Sequence, residues 1–135
     1  MVRLEIPNSA QYVTVARKAV EGIGSRMSLT EEQVQDLKLV VGEACTNAVK
    51  FSPCNSPVVY INYRVSPDTL EIEIRNSGDG FCTQNVPNMP PIESLPEGGM
   101  GIYVIRQIMD EVDIKSEYGE TTVRMLKRFG TAAVR

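Results

Sequence analysis

Two short stretches of strict alternation limit the fold of this chain more than any other feature. Val59, Ile61, Tyr63 and Val65 recur at every second position in the first; Leu70, Ile72 and Ile74 alternate with Glu71, Glu73 and Arg75 in the second. A period of two puts each set on one face of a strand. Ser66-Pro67-Asp68 supplies turn residues between them. The pair predicts a hairpin with one buried face, and an apolar face needs a second layer to cover it.

The rest of the chain supplies that layer. Leu4 and Ile6 alternate with charge and predict a first strand ended by Pro7. Asn8-Ser9 can cap a helix with apolar positions at Tyr12, Val13, Ala16, Val20 and Ile23, stopped at Gly22-Ile23-Gly24. Thr30-Glu31-Glu32-Gln33 has the form of a capping box and opens a long central helix, which should end at Phe51-Ser52-Pro53 because a residue before proline avoids helical geometry. The regular pattern dissolves from Cys82 to Gly98, with Pro87, Pro90, Pro91 and Pro96 scattered through it. A segment of that length in a compact domain is typically a lid or binding loop. Ile102, Val104, Ile105, Ile108 and Met109 then mark another helix. Val112–Lys115 and Thr122–Lys127 form a second hairpin around Tyr118-Gly119-Glu120. The expected architecture is one α/β domain over residues 1–135, a two-layer sandwich with a mixed sheet covered on one face by helices.

Composition matters chiefly for what it excludes. The 135 residues, 42% hydrophobic and 23% charged, suffice for a core without disulfides or metal. A net charge of −3 gives no support for general nucleic-acid binding. No apolar run reaches membrane-spanning length and the N-terminus has no apolar signal core, so a cytoplasmic protein is expected. Cys45, Cys54 and Cys82 lack paired-ligand spacing, and Cys45 falls on the apolar side of its helix as a small buried hydrophobe. There is no histidine, which excludes histidine general bases, phospho-acceptors and metal ligands together.

The central helix carries the most informative polar residues. Glu43 and Asn47 are four apart and share a face, with Asp36 and Lys50 along the same stripe; Val34, Leu37, Val41, Ala44, Cys45 and Ala48 fall on the other side. Such a stripe is ordinary on a solvated surface and unusual on an inner one. Asn76-Ser77-Gly78-Asp79-Gly80 directly follows the second strand of the hairpin. Taken alone it is a turn, although Gly78 and Gly80 also permit positive φ and close approach of another group. Gly98, Gly99 and Gly101 sit where a helix begins, and free N–H groups there favour an anion such as phosphate.

The order of these features makes the chain similar to the GHKL ATPase superfamily, and most closely to its stand-alone branch, the anti-sigma factor serine/threonine kinases. Glu43-Ala44-Cys45-Thr46-Asn47-Ala48 resembles that family's N box, Asn76 to Gly80 its first glycine box, and Gly98 to Gly101 its second; Met109-Asp110-Glu111-Val112 resembles the segment that follows in that branch. The resemblance implies a domain that binds ATP with Mg²⁺. Asn47 would hold the metal through its side-chain oxygen, and Glu43 would orient or deprotonate the attacking hydroxyl. Lys50 would reach the phosphates. Gly98, Gly99, Met100 and Gly101 would cradle the triphosphate under a lid at residues 82–98, with Asn76, Gly78 and Gly80 at the nucleotide. It also implies a sigma factor and an anti-sigma factor antagonist as partners, with dimerisation a family expectation.

Two positions depart from the pattern. The first glycine box usually begins with Asp, whose carboxylate accepts a hydrogen bond from the adenine amino group; Asn76 stands there and can accept one such bond through its amide oxygen, without the charge. Phe51 stands where the anti-sigma kinases commonly carry histidine. A histidine kinase is a poor reading of the whole chain, which has no histidine to phosphorylate. The alternative to a kinase is a partner-switching module of the same fold that sequesters a partner without phosphoryl transfer.

Overall fold

The fold is taken from a computed structural model, which describes residues 1–50, 58–76, 96–117 and 120–129. Its hairpin is the predicted one. Strands β2 (Val58–Val65) and β3 (Thr69–Asn76) pair antiparallel, with Val65 opposite Leu70 and the Ser66 N–H donating to Thr69 O at 3.0 Å across the turn. Val59, Ile61, Tyr63, Leu70, Ile72 and Ile74 are all buried on one face. The other face is polar. Glu71 meets Arg124 at 3.5 Å and Arg75 lies over the Tyr60 ring, so this side needs no cover.

Strands β1 (Val2–Pro7), β4 (Glu111–Glu117) and β5 (Glu120–Arg128) complete a sheet of order β1-β2-β3-β5-β4. Every neighbouring pair is antiparallel, which corrects the expected mixed sheet. The physical reason lies in the connections. Two helices in succession separate β1 from β2 and return the chain antiparallel to it. After β3 the chain returns through α3 to run β4 in the same sense as β3, and β5 then inserts between them and pairs antiparallel with both.

The helical layer is built by α1 (Val13–Met27, after a 3-10 turn at Ala10–Tyr12), α2 (Glu31–Lys50) and α3 (Pro96–Ile108). The predicted stop of α1 at Gly22–Gly24 is wrong: the helix runs through both glycines to Ser28, whose left-handed backbone (φ 59°) caps it, with the Leu29 N–H donating to Gly24 O. Gly24 is a packing residue, since a Cβ there would fall 2.5 Å from Val34 Cγ2 on α2. Tyr12, expected among the apolar positions, is 38% exposed, and Ser9 makes no side-chain capping bond.

The capping box of α2 forms in both directions, Thr30 Oγ1 accepting from the Gln33 N–H at 3.1 Å and Gln33 Oε1 from the Thr30 N–H at 2.9 Å. It sets where the helix starts. What holds the helix is burial: Leu37, Val40, Val41, Ala44, Cys45 and Ala48 are all buried, the larger of them contributing about 1.5–3 kcal/mol each against on the order of 1 kcal/mol for the cap. Helix α2 lies between α1 and α3 and over β2 and β3. From Val40 to Val49 no residue is exposed, so the stripe that begins at exposed Asp36 runs inward to half-buried Glu43 and buried Asn47. The expected stop at Phe51-Ser52-Pro53 lies outside the described residues; the helix is described as far as Lys50.

Candidate functional site

Strand register brings a polar residue to a core position. The inward series of β3, Leu70, Ile72 and Ile74, continues two residues on to Asn76, which pairs with Val59 on β2 and Thr121 on β5. Asn76 is 2% exposed and Asn47 is 6% exposed, and these are the two buried polar side chains among the described residues. They line one small cavity together with Ala44, Ala48, Ile74, Ile102, Ile105, Thr121 and Val123. Helix α2 supplies one wall, the sheet the floor and α3 the other wall.

Buried polar atoms need partners. The Asn76 Nδ2–H group donates to Ala48 O at 2.7 Å. Asn76 Oδ1 and Asn47 Nδ2 have no partner among the described residues. The site therefore presents one bare acceptor and one bare donor within largely aliphatic walls. The cavity measures about 10 Å³, enough for a single water.

Opposite the α2 face stands Gly101. A Cβ built on it would lie 2.8 Å from Glu43 Oε1 and 3.1 Å from Asn47 Nδ2. Glu43 and Asn47 are thus turned toward the helix that the second glycine cluster opens, and glycine is what allows α3 to approach them. That helix begins earlier than expected. Pro96 is its first residue, a favoured place for proline. Gly98, Gly99 and Met100 follow within the first five positions. Free N–H donors belong to the first turn, 96–99, to which Pro96 contributes none. Gly101 lies beyond that turn, and its value at the site is its missing side chain. The expected lid at 82–98 accordingly loses its last residues, 96–98, to α3; the remainder lies outside the described residues.

The far end of α3 is pinned to the sheet. Lys127 Nζ donates to Ile108 O at 2.9 Å, the Asp110 N–H to Leu126 O, and the Arg128 N–H to Asp110 Oδ2 at 2.6 Å. The Met109–Val112 segment is in this way a joint between α3 and the β4–β5 hairpin.

Of the residues singled out in the sequence, Glu43, Asn47, Asn76 and Gly101 gather around the α2–α3 junction. Gly78 and Gly80 lie outside the described residues, as does the side chain of Lys50, the last residue of α2. Arg106 is an exposed residue of α3. Sequence reasoning missed the Ala48 carbonyl as the partner of Asn76. The signal was present: Asn76 occupies the next inward position of β3 and must find a polar partner across the layer. Val40, buried on α2, was also absent from the expected apolar set.

Cys45 is a buried free thiol on α2, and burial pushes its pKa up to about 12. A thiol so far from ionisation is a packing group, as expected, and no nucleophile. Among the described residues no three His, Cys, Asp or Glu side chains gather into a metal cage, and no helix is long and apolar enough to cross a membrane.

Residues 6–127 match the family described as the histidine kinase-like ATPase domain. The chain is 36% identical over 135 residues to the serine-protein kinase RsbW of Bacillus velezensis, covering 93% of this chain and 84% of that protein. It is 34% identical to the RsbW of Bacillus subtilis with the same coverage, and 35% identical to that of Oceanobacillus iheyensis over 87% of this chain and 80% of the relative. A chain of the SiaB–SiaC complex from Pseudomonas aeruginosa superposes with a TM-score of 0.59 over 94% of this chain and 89% of its own, at 12% identity, a likeness of fold.

Proposed function

The chain belongs to the histidine kinase-like ATPase domain family, and from that premise we propose that it is an anti-sigma factor serine/threonine kinase: it phosphorylates an anti-sigma factor antagonist with ATP and sequesters a sigma factor. One observation carries the reading. The two buried polar side chains of the described residues share one cavity, and Asn47 faces, with Glu43, a helix position where any side chain would press on them both. Phosphoryl transfer asks little of a protein beyond positioning and charge neutralisation; this junction provides the positioning, and a metal held at Asn47 would provide the charge.

Glu43 is the base. Its half-buried carboxylate accepts the proton of the attacking serine hydroxyl as that oxygen forms its bond to the terminal phosphorus and the bond to the bridging oxygen breaks. Asn47 would hold Mg²⁺ through Oδ1, a hard donor for a hard cation. Held there, the ion would supply charge neutralisation at the phosphates. Gly98 and Gly99 supply the backbone of the phosphate cradle, Met100 like Gly101 lying beyond the first turn of α3; Asn76 contacts the base, and Lys50, Gly78 and Gly80 complete the nucleotide contacts. The net charge of −3 favours protein partners over nucleic acid. The same reading puts the protein in the cytoplasm and extends to a homodimer.

The alternative without phosphoryl transfer took its motive from Asn76, whose amide still turns an acceptor to the cavity; no feature of the site favours it. The experiment is direct. Purified protein, Mg²⁺, labelled ATP and the antagonist encoded beside it are mixed, and label is expected on an antagonist serine or threonine, with Glu43→Ala slowing transfer about 10²–10⁴-fold. No label, with Glu43→Ala indistinguishable from wild type, would leave only a binding module.

A further inference from the structure

The sheet is open at β1. That strand pairs with β2 alone, so the N–H and C=O groups along its other side face outward. Val2, Leu4 and Ile6 stand opposite Tyr63, Ile61 and Val59 and so belong to the inward face, yet Val2 is 39% exposed. Helix α1 borders the same edge. The Arg17 side chain runs over Gly42, Glu21 pairs with Lys38 and Gly24 meets Val34, so residues 17, 21 and 24 mark the side of α1 that faces α2. Two residues turn a helix by about 200°. Val15, Ala19 and Gly22 are therefore on the opposite side, away from α2 and toward the free edge of β1, with Tyr12 one turn before them. None of these four is charged, and Tyr12 and Val15 are 38% and 45% exposed. Three of the exposed large hydrophobic residues thus share one edge, while β4, the other edge strand, carries none among the described residues.

We propose that β1 is the seam of a homodimer: it pairs antiparallel with β1 of a second copy about a two-fold axis at Leu4, joining the two five-stranded sheets into one. The homodimer itself rests on the proposed function; the place where it joins is inferred from β1 and α1 alone. The strand's own residues select both the occupant and the register. Val2, Leu4 and Ile6 must stay on the buried face, so inward residues have to stand opposite inward ones. Among such registers, a two-fold at Arg3 sets Arg3 against its own copy, and a two-fold at Glu5 sets Glu5 against its own copy. A two-fold at Leu4 sets Arg3 opposite Glu5 twice and Val2 opposite Ile6 twice, and leaves Pro7, which has no N–H to give, at the end of the ladder. Within the chain neither charge meets an opposite one directly across the ladder, since Arg3 faces Asn62 and Glu5 faces Tyr60. The two α1 helices then meet over the seam through Tyr12 and Val15. The cavity between α2 and α3, floored by β3 and β5, stays clear of it.

Charge exchange tests the seam on folded protein, since Arg3 and Glu5 are both exposed. Sedimentation equilibrium of the wild-type chain is expected to show a monomer–dimer equilibrium. Arg3→Glu and Glu5→Arg each set like charges opposite one another twice, and each should raise the dimer dissociation constant about tenfold or more. The double exchange, Arg3→Glu with Glu5→Arg, rebuilds two opposite-charge pairs and should bring the constant back to within about threefold of wild type. Val15→Asp, on the helical side of the same edge, should also weaken the dimer about tenfold, with circular dichroism checking that the monomer is folded. A dimer that neither exchange weakens, or that the double exchange does not restore, overturns the seam. One that responds to the exchanges but not to Val15→Asp joins through the polar face of the sheet and overturns it as well. A chain that is monomeric throughout overturns the seam and the homodimer together, while the phosphoryl-transfer assay still reports on the kinase reading.

Discussion

At the scale of single residues, Gly101 is the most exposed to test. Its hypothetical Cβ meets the end of the Glu43 side chain at 2.8 Å and the Asn47 amide at 3.1 Å, with no backbone in the way. Glu43 is half-buried and ends a flexible chain, so it can withdraw; Asn47, 6% exposed, has less room. The contact is therefore cheap for the fold and expensive for the site. Gly101→Ala is expected to change unfolding stability by no more than about 1 kcal/mol, since an added methyl is partly offset by the better helix propensity of alanine. Phosphoryl transfer should fall at least about tenfold, because the proposed base and metal ligand are displaced together. Parallel urea unfolding and transfer assays decide it: a large stability loss with activity kept would show that Gly101 serves packing alone. The residue-level partition of α2 has the same origin. Glu43 and Asn47 are legible as a pair from their spacing, but whether that face is solvated depends on α3, which is more than fifty positions away in the chain.

At the scale of elements, the turn between α1 and α2 carries the clearest local strain. Ser28 is the one non-glycine residue with positive φ among the described residues, at φ 59° and ψ 39°. Holding an L residue there costs about 1–2 kcal/mol, while glycine adds roughly 0.5–1 kcal/mol of unfolded-state entropy. Ser28→Gly is thus expected to stabilise the protein by about 0.5–1 kcal/mol and raise the thermal midpoint by about 2–4 °C, read by calorimetry. No gain would mean that the Ser28 hydroxyl has a role of its own. What is legible in the sequence follows the same division between local and non-local causes. The capping box at Thr30–Gln33, the turn at Ser66–Asp68 and the end of β1 at Pro7 are set by neighbouring residues, and the structure has each where the sequence puts it. Gly22 and Gly24 are not legible in this way. A glycine that lets Val34 approach and a glycine that ends a helix look alike until the second helix is in place. The sense of the sheet is hidden for a similar reason: nothing local in β5 says that it inserts between β3 and β4.

At the scale of the whole molecule, three elements share one buried polar junction away from the site. Tyr63 on β2 is fully buried and its hydroxyl donates to Ala16 O on α1 at 2.7 Å; Cys45 on α2 lies close enough for its charge to matter to that hydroxyl. Burial raises both groups above their ordinary range, Tyr63 further still because of Cys45. For an acid whose folded pKa is raised, the neutral form belongs to the folded state. Its contribution to stability is complete below the unfolded value, 9.0 for the thiol, and is lost as pH rises through about 12. The sheet and both helices should therefore come apart together in alkali, with a fall in unfolding free energy that starts near pH 9. Cys45→Ala isolates the thiol's share. At pH 7.5 it should cost roughly 1 kcal/mol through the small cavity it leaves, and between pH 9 and 11 its stability should fall less steeply than that of wild type, because no thiolate has to be kept buried. Urea midpoints taken along that pH series give the difference curve directly. Two curves that stay parallel would mean that the thiol reaches water before the fold is lost, and that the junction of α1, α2 and β2 is looser than its packing indicates.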